Sequence, residues 1–186
     1  MGKKRNSRAE KLISGADGRH AGGDHGGALR DYDEALVIDP GNEMGWNNRG
    51  VVLSRLGRYA EAVRSYRKAL DIDPEYWTAW FNCGKAFHRM GELEEALDCY
   101  DKALEHRPDH KSAWNNKGVA LRALGRSAEA LECYGMAIRH HPDYEYAWAN
   151  MGRLLDSLGK KEDARRCYEK ARAINPAILD DEKDGG

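Results

Sequence analysis

Residues 46–74 read WNNRGVVLSRLGRYAEAVRSYRKALDIDP, and most of this 186-residue chain is built from that unit. The pattern restarts at Trp80, Trp114 and Trp148, always 34 residues after the previous tryptophan. Each tryptophan is followed at constant spacing by Gly50, Gly84, Gly118 and Gly152, then by Gly57, Gly91, Gly125 and Gly159. The second half of each copy repeats Ala62, Ala96, Ala130, Ala164, then Tyr66, Tyr100, Tyr134, Tyr168, then Ala69, Ala103, Ala137, Ala171. A fixed period of this length marks a stacked-repeat architecture, in which one supersecondary unit recurs and neighbouring copies share a core.

Within the unit, Trp46, Gly50 and Leu53 recur at i, i+4 and i+7, the spacing of one face of an amphipathic helix. This predicts a first helix over about 43–56, ended by Gly57, since glycine readily adopts the left-handed conformation that closes helices. A second helix over about 59–72 carries Ala62, Tyr66, Ala69 and Leu70 on one face. It stops at Asp73-Pro74, because proline disfavours helical geometry in the residue before it. The small residues at Gly50 and Ala62 allow close backbone approach, and the tryptophan and tyrosine rings fill the volume beside them. The combination of Trp, Gly, a large apolar residue, Ala, aromatic, Ala and Pro resembles the tetratricopeptide-repeat (TPR) family. The usual leucine before the first glycine is replaced by Arg49, Cys83, Lys117 and Met151. The resemblance implies an all-α fold of helix-turn-helix repeats stacked into a right-handed superhelix, an α-solenoid.

Four full copies then occupy residues 43–76, 77–110, 111–144 and 145–178. Residues 9–42 form a degenerate first copy, in which Gly23, Ala28, Tyr32, Ala35 and Pro40 keep phase but Leu12 replaces tryptophan. Gly15 and Gly18 fall inside its first helix and together disfavour it by about 2 kcal/mol relative to alanine. A short or frayed helix near residues 8–15, a loose glycine-rich join and a sound helix over 27–38 are expected. Residues 1–8 read as a basic tail and 179–186 as an acidic one, with only Ala177, Ile178 and Leu179 to continue a packing face after Pro176.

Lysine plus arginine number 30 against 31 acidic residues, so the net charge of −1 exerts no general pull on nucleic acid or an anionic membrane. No apolar run approaches the roughly 18 residues of a membrane span. The basic N-terminus is followed by LISGADG instead of an apolar signal core, and Asn6 stands where an N-myristoylation motif needs serine or threonine. A cytoplasmic protein with reduced cysteines is expected. Cys99, Cys133 and Cys167 are repeat equivalents; at the roughly 10 Å of packed helices they are too far apart for disulfides and read as small buried residues.

No nucleophile motif and no GxxxxGK phosphate loop occurs. His106, His110, His140 and His141 look metal-like only superficially, because their repeat spacing separates them and no cysteine cluster joins them. The chain is therefore read as non-enzymatic, with no cofactor or metal.

The family resemblance places the first helix of each repeat along a concave groove where extended peptides bind. By register, Asn48, Asn82, Asn116 and Asn150 form a ladder there. It resembles the asparagine ladder of protein O-linked N-acetylglucosamine transferases, which grips peptide backbone. An amide both donates and accepts, so it can pair with a peptide whatever its sequence. The other groove positions hold Arg55, Lys85, Arg89, Arg122 and Arg153 against Asp156, with Asp17 added by the first copy. A positive groove binding an acidic peptide is the resulting expectation, with self-association through uncapped terminal repeats as the alternative. The carboxylate clamp of chaperone-binding members is not matched: its positions hold Asn47, Val51, Asn82, Ser112 and Asn116 in one window, and Phe81, Lys85, Asn116, Tyr146 and Asn150 in the next.

Overall fold

The computed structural model describes residues 7–179, and every regular element among them is an α-helix. The chain divides into two compact units, residues 1–106 and 107–186. Unit 1 contains α1 (Ser7–Ala21), α2 (His25–Ile38), α3 (Glu43–Arg55), α4 (Tyr59–Ile72), α5 (Trp77–Met90) and α6 (Leu93–His106). Unit 2 contains α7 (Lys111–Ala123), α8 (Ser127–His140), α9 (Glu145–Ser157) and α10 (Lys161–Ile174). Odd helices pack on the even helices that follow them, and within each unit the pairs stack as in an α-solenoid. No described helix is long and apolar enough to cross a membrane.

The repeated residues determine the packing. Tyr66 is almost wholly buried and lies on Gly50, where an added Cβ would sit 2.5 Å from the ring. The same contact recurs between Tyr100 and Gly84, Tyr134 and Gly118, and Tyr168 and Gly152. Ala62 and Ala69 are fully buried on the facing helix, so the backbones of α3 and α4 approach as closely as their small residues allow. Each tryptophan has a second task. The indole of Trp46 donates to the Pro40 carbonyl, Trp80 to Pro74, Trp114 to Pro108 and Trp148 to Pro142, at 2.8–3.0 Å. These bonds give the half-buried indole N–H a partner and fasten each tryptophan helix to the loop that precedes it. Arg49, one departure from the family pattern, bonds Asp33 and the buried Ser65, both at 2.7 Å.

The degenerate copy departs from expectation. Helix α1 is not short or frayed but runs for 15 residues. Gly15 and Gly18 lie on its exposed side, while Ala9, Ile13 and Ala16 form a buried stripe at i, i+4, i+7. That burial, with ion pairs from Arg8 to Glu34 and Arg19 to Asp31 at 2.7 Å, outweighs the glycine penalty. The join is also tight. Gly23 adopts the left-handed conformation, and the Asp24 carboxylate caps α2 by accepting from the Gly27 N–H at 2.8 Å. After α10 no further helix occurs among the described residues, but Ile178 is buried against Trp148, Ala149 and Ala171. Of the two expected tails, residues 1–6 and 180–186 lie outside the described residues, and Ser7 and Arg8 open α1.

Candidate peptide-binding face

In unit 1 the first helices of successive pairs, α1, α3 and α5, lie side by side. Their shared face carries a continuous chain of polar contacts. Tyr32 donates to the Asp17 carboxylate, and Asn48 Nδ2 donates to the same carboxylate at 3.0 Å. Asn47 Nδ2 donates to Asn48 Oδ1, and Asn82 Nδ2 to Asn47 Oδ1, each at 3.1 Å. In unit 2, α7 and α9 are joined likewise: Asn150 Nδ2 donates to Asn115 Oδ1 at 2.9 Å, and Asn115 Nδ2 to Asn116 Oδ1 at 3.4 Å. The ladder residues Asn48, Asn82, Asn116 and Asn150 are half-buried, whereas Asn47 and Asn115 are buried beneath them. The ladder amides are thus pre-positioned by a second, deeper asparagine. Sequence reasoning had overlooked that role, although the WNN run at 46–48 and 114–116 carries its signal.

Ion pairing divides the cations of the described residues. At the starts of α4 and α8, Arg58 and Arg126 each grip a glutamate with two bonds of 2.6–2.8 Å, Glu61 and Glu129 respectively. Those carboxylates are held below their ordinary range first by these hydrogen bonds. Arg55, Lys85, Arg89 and Arg122 have no carboxylate partner among the described residues. Lys85 lies over the Phe81 ring at 5.3 Å. Its ammonium is lowered from the ordinary lysine value by desolvation, then by Arg55 and Arg89, so these three charges crowd one region of unit 1. His88 is lowered by burial and by Arg89.

In unit 2, Arg153 Nη1 donates to Asn150 Oδ1 at 3.0 Å. Asp156, the anion predicted on this face, is engaged by Lys161 at 2.9 Å. Two of the histidines that resembled a metal set have separate uses. His110 Nδ1 caps α7 by accepting from the Ala113 N–H at 3.1 Å, while His141 Nε2 lies 3.1 Å from the Asp109 carbonyl. Among the described residues no group of three histidine, cysteine or acidic side chains converges on a metal position. All four cysteines are free and buried. Cys99 meets Cys83, a pairing within one repeat that the comparison of successive repeats did not cover, and this contact with burial raises its thiol pKa.

Stacked helix pairs with an amide-lined face define the chain as a helical-repeat protein of the interaction-module class. It belongs to the tetratricopeptide-repeat family: tetratricopeptide-repeat profiles match residues 31–64, 77–110, 112–144 and 145–178, and a further TPR-repeat profile matches 55–91. No curated protein matches the chain. Among solved structures it is similar to MamA, at 23% identity over 89% of this chain and 96% of that one, with a TM-score of 0.81. The type IV pilus biogenesis factor PilW shares 24% identity over 95% of this chain and 81% of its own, with a TM-score of 0.84. YrrB, described as a TPR protein with an unusual peptide-binding site, shares 24% identity over 95% and 90%, with a TM-score of 0.75. At these identities the likeness establishes the fold.

Proposed function

We propose that this protein is a non-enzymatic adaptor that holds extended acidic peptide segments on the faces formed by the first helices of its repeats. The observation that carries the reading is the crowding of Arg55, Lys85 and Arg89 on one face without acids. Arg58 and Arg126 are saturated by glutamates, while Arg55, Lys85, Arg89 and Arg122 are left without carboxylates among the described residues. Like charges crowded on one face repel each other, and an anionic partner relieves that repulsion while gaining charge-assisted hydrogen bonds. The asparagine ladder supplies the sequence-independent part of the grip: the Asn82 carbonyl and the Asn116 amide have no hydrogen-bond partner within the described protein. The likeness to YrrB, whose description includes a peptide-binding site, supports a peptide as the ligand class.

The test is fluorescence anisotropy of a labelled, C-terminally amidated decapeptide of alternating glutamate and glycine, beside its lysine and glutamine counterparts. The glutamate peptide is expected to bind most tightly, and more weakly as salt rises. Combined alanine substitution of Arg55, Lys85 and Arg89 should weaken it at least tenfold, with circular dichroism unchanged. Equal binding of the three peptides, or wild-type affinity in the triple variant, would refute the reading.

A further inference from the structure

A cavity of about 350 Å³ lies between α3 and α4 of unit 1, within the roughly 300–1,000 Å³ of small-molecule sites. Trp46 and Arg49 of α3 line one side, and Arg64, Arg67 and Lys68 of α4 line the other. Among the described residues of the lining, Asp71 is the one acid. The lining is almost wholly apolar atoms, as an indole ring and the methylene stems of long cations provide. The Arg64 and Lys68 side chains are 69% and 63% exposed, so their charged heads stand in water at the rim.

The α3 side is held firmly. The Trp46 indole donates to the Pro40 carbonyl at 3.0 Å, and its ring packs against the cluster of Ala69, Leu70 and Ala79. The Arg49 guanidinium lies 5.9 Å from the centre of that ring and bonds Asp33 and Ser65, both at 2.7 Å. The rim cations are held loosely. Arg64 is 3.9 Å from Glu61, whose carboxylate Arg58 already grips at 2.6 and 2.7 Å. Lys68 is 4.0 Å from Asp71. Arg67 lies over the Phe87 ring at 5.7 Å and has no carboxylate partner among the described residues. Exposed pairs at such distances contribute little, so the rim keeps its charge for an incoming anion. Repeat packing does not require this cluster. One period on, Arg64 and Arg67 are replaced by Asp98 and Asp101, and Ser65 by Cys99, while the tyrosine–glycine contact of the helix pair persists.

We infer that this cavity binds a small aromatic oxyanion, its flat ring along Trp46 and its carboxylate or phosphate toward Arg64, Arg67 and Lys68. The apolar lining takes the ring, and the cations give the oxyanion charge-assisted hydrogen bonds. Both parts are needed. A neutral ring leaves the rim cations unengaged, and a bare anion leaves the apolar wall wet. The site shares no residue with the proposed peptide-binding face and does not depend on that reading.

The test uses the full chain grown with fluorotryptophan, its Trp46 fluorine resonance assigned through Trp46→Phe. Naphthoate and naphthyl phosphate should shift that resonance saturably, and the tighter of the two identifies the preferred oxyanion. Acetate and inorganic phosphate should leave it in place. The neutral naphthyl methanol should bind about tenfold more weakly than the better anion, at about twofold per exposed charge engaged. The triple variant Arg64→Gln, Arg67→Gln, Lys68→Gln should lose the same factor of about ten for the anions, with circular dichroism and the affinity for the alcohol unchanged. If that variant fails to fold, Arg67→Gln alone should lose about twofold. Absence of a saturable Trp46 shift with either anion, equal affinity for the alcohol, or wild-type affinity in the rim variants overturns the site. Failure of acidic peptides to bind would refute the groove reading and leave this site to the fluorine signal.

Discussion

Substituting alanine for glycine has opposite expected effects at two positions of this chain, and the structure supplies both magnitudes. At Gly50 in α3 the new Cβ would lie 2.5, 2.8 and 2.9 Å from the Cε1, Cδ1 and Cζ atoms of Tyr66. Carbon atoms pack at about 3.5–4.0 Å, so the ring has to retreat by roughly 1 Å. Tyr66 cannot do so freely, being almost fully buried with its hydroxyl paired to Ser54 at 3.1 Å. Overpacking of this kind costs about 3 kcal/mol at the upper end of its range, and losing the hydroxyl pair costs about 1 more. Alanine recovers about 1 kcal/mol of helix propensity, leaving Gly50→Ala destabilised by about 3 kcal/mol. At Gly18 in α1 nothing lies within 4 Å of the added Cβ. Only the propensity remains there, so Gly18→Ala should stabilise by about 1 kcal/mol.

At about 2–4 °C per kcal/mol for a chain of this size, the first variant should melt about 6–12 °C below the wild type and the second about 2–4 °C above it. Thermal circular dichroism at the helical minimum reads both, and amide exchange in α1 locates the gain in Gly18→Ala. If Gly50→Ala melted with the wild type, the tyrosine–glycine contact would not be the packing constraint inferred here. A lower melting temperature for Gly18→Ala would contradict the account of α1 as a helix whose glycines are exposed and only entropically unfavourable.

His110→Asn should remove a pH dependence from the start of α7. Neutral His110 accepts from the Ala113 N–H, and burial, followed by Arg107, lowers its pKa below the ordinary histidine value of 6.5. The unfolded chain therefore binds this proton more readily than the folded one. The stability contributed by the neutral ring is present above about pH 6.5 and lost as pH falls through the lower folded value. Amide exchange at the start of α7 should accelerate over that interval in the wild type and stay level in the asparagine variant, whose cap does not titrate; parallel behaviour would exclude the mechanism. Asn47→Ala should destabilise by about 2 kcal/mol, since it deletes the buried residue that bonds both Asn48 and Asn82, whereas Asn82→Ala, with one such bond and partial exposure, should cost about 1. Urea unfolding gives the order, and its reversal would mean that the deeper asparagine does not support the ladder.

Most of the fold was legible because its information is local and repeated. Gly57, Gly91 and Asp73-Pro74 punctuate helices through their own backbone preferences, and recurrence at a constant interval turned weak local signals into one consistent pattern. Helix α1 was misjudged because the same local logic was applied where the deciding term is not local. Its glycine penalty could be read from the sequence alone, but its stabilisation depends on what Ala9, Ile13 and Ala16 meet on α2. The stripe was visible as a spacing in the sequence; that it outweighs two glycines follows only from the packing.

The candidate face divides along the same line. Register alone assigns Asn48, Asn82, Arg55, Lys85 and Arg89 to related helix positions, since repeat equivalence transfers a position from one copy to the next. Repeat equivalence cannot say which charges are already neutralised. Asp156 counts as a groove anion by register, yet Lys161, just across the turn, engages it. Nor does it distinguish equivalent tyrosines, although the Tyr66 hydroxyl pairs with a serine hydroxyl while that of Tyr134 has no hydrogen-bond partner among the described residues. On the proposed peptide-binding reading, such differences between copies matter more for recognition than the features they share. The shared residues build the helix pairs and are constrained by packing, so a preference for one ligand has to arise where the copies diverge. On that reading selectivity lies at the varied positions one, four and five residues beyond each helix glycine, where Lys85, Arg122, Arg55 and Arg89 stand.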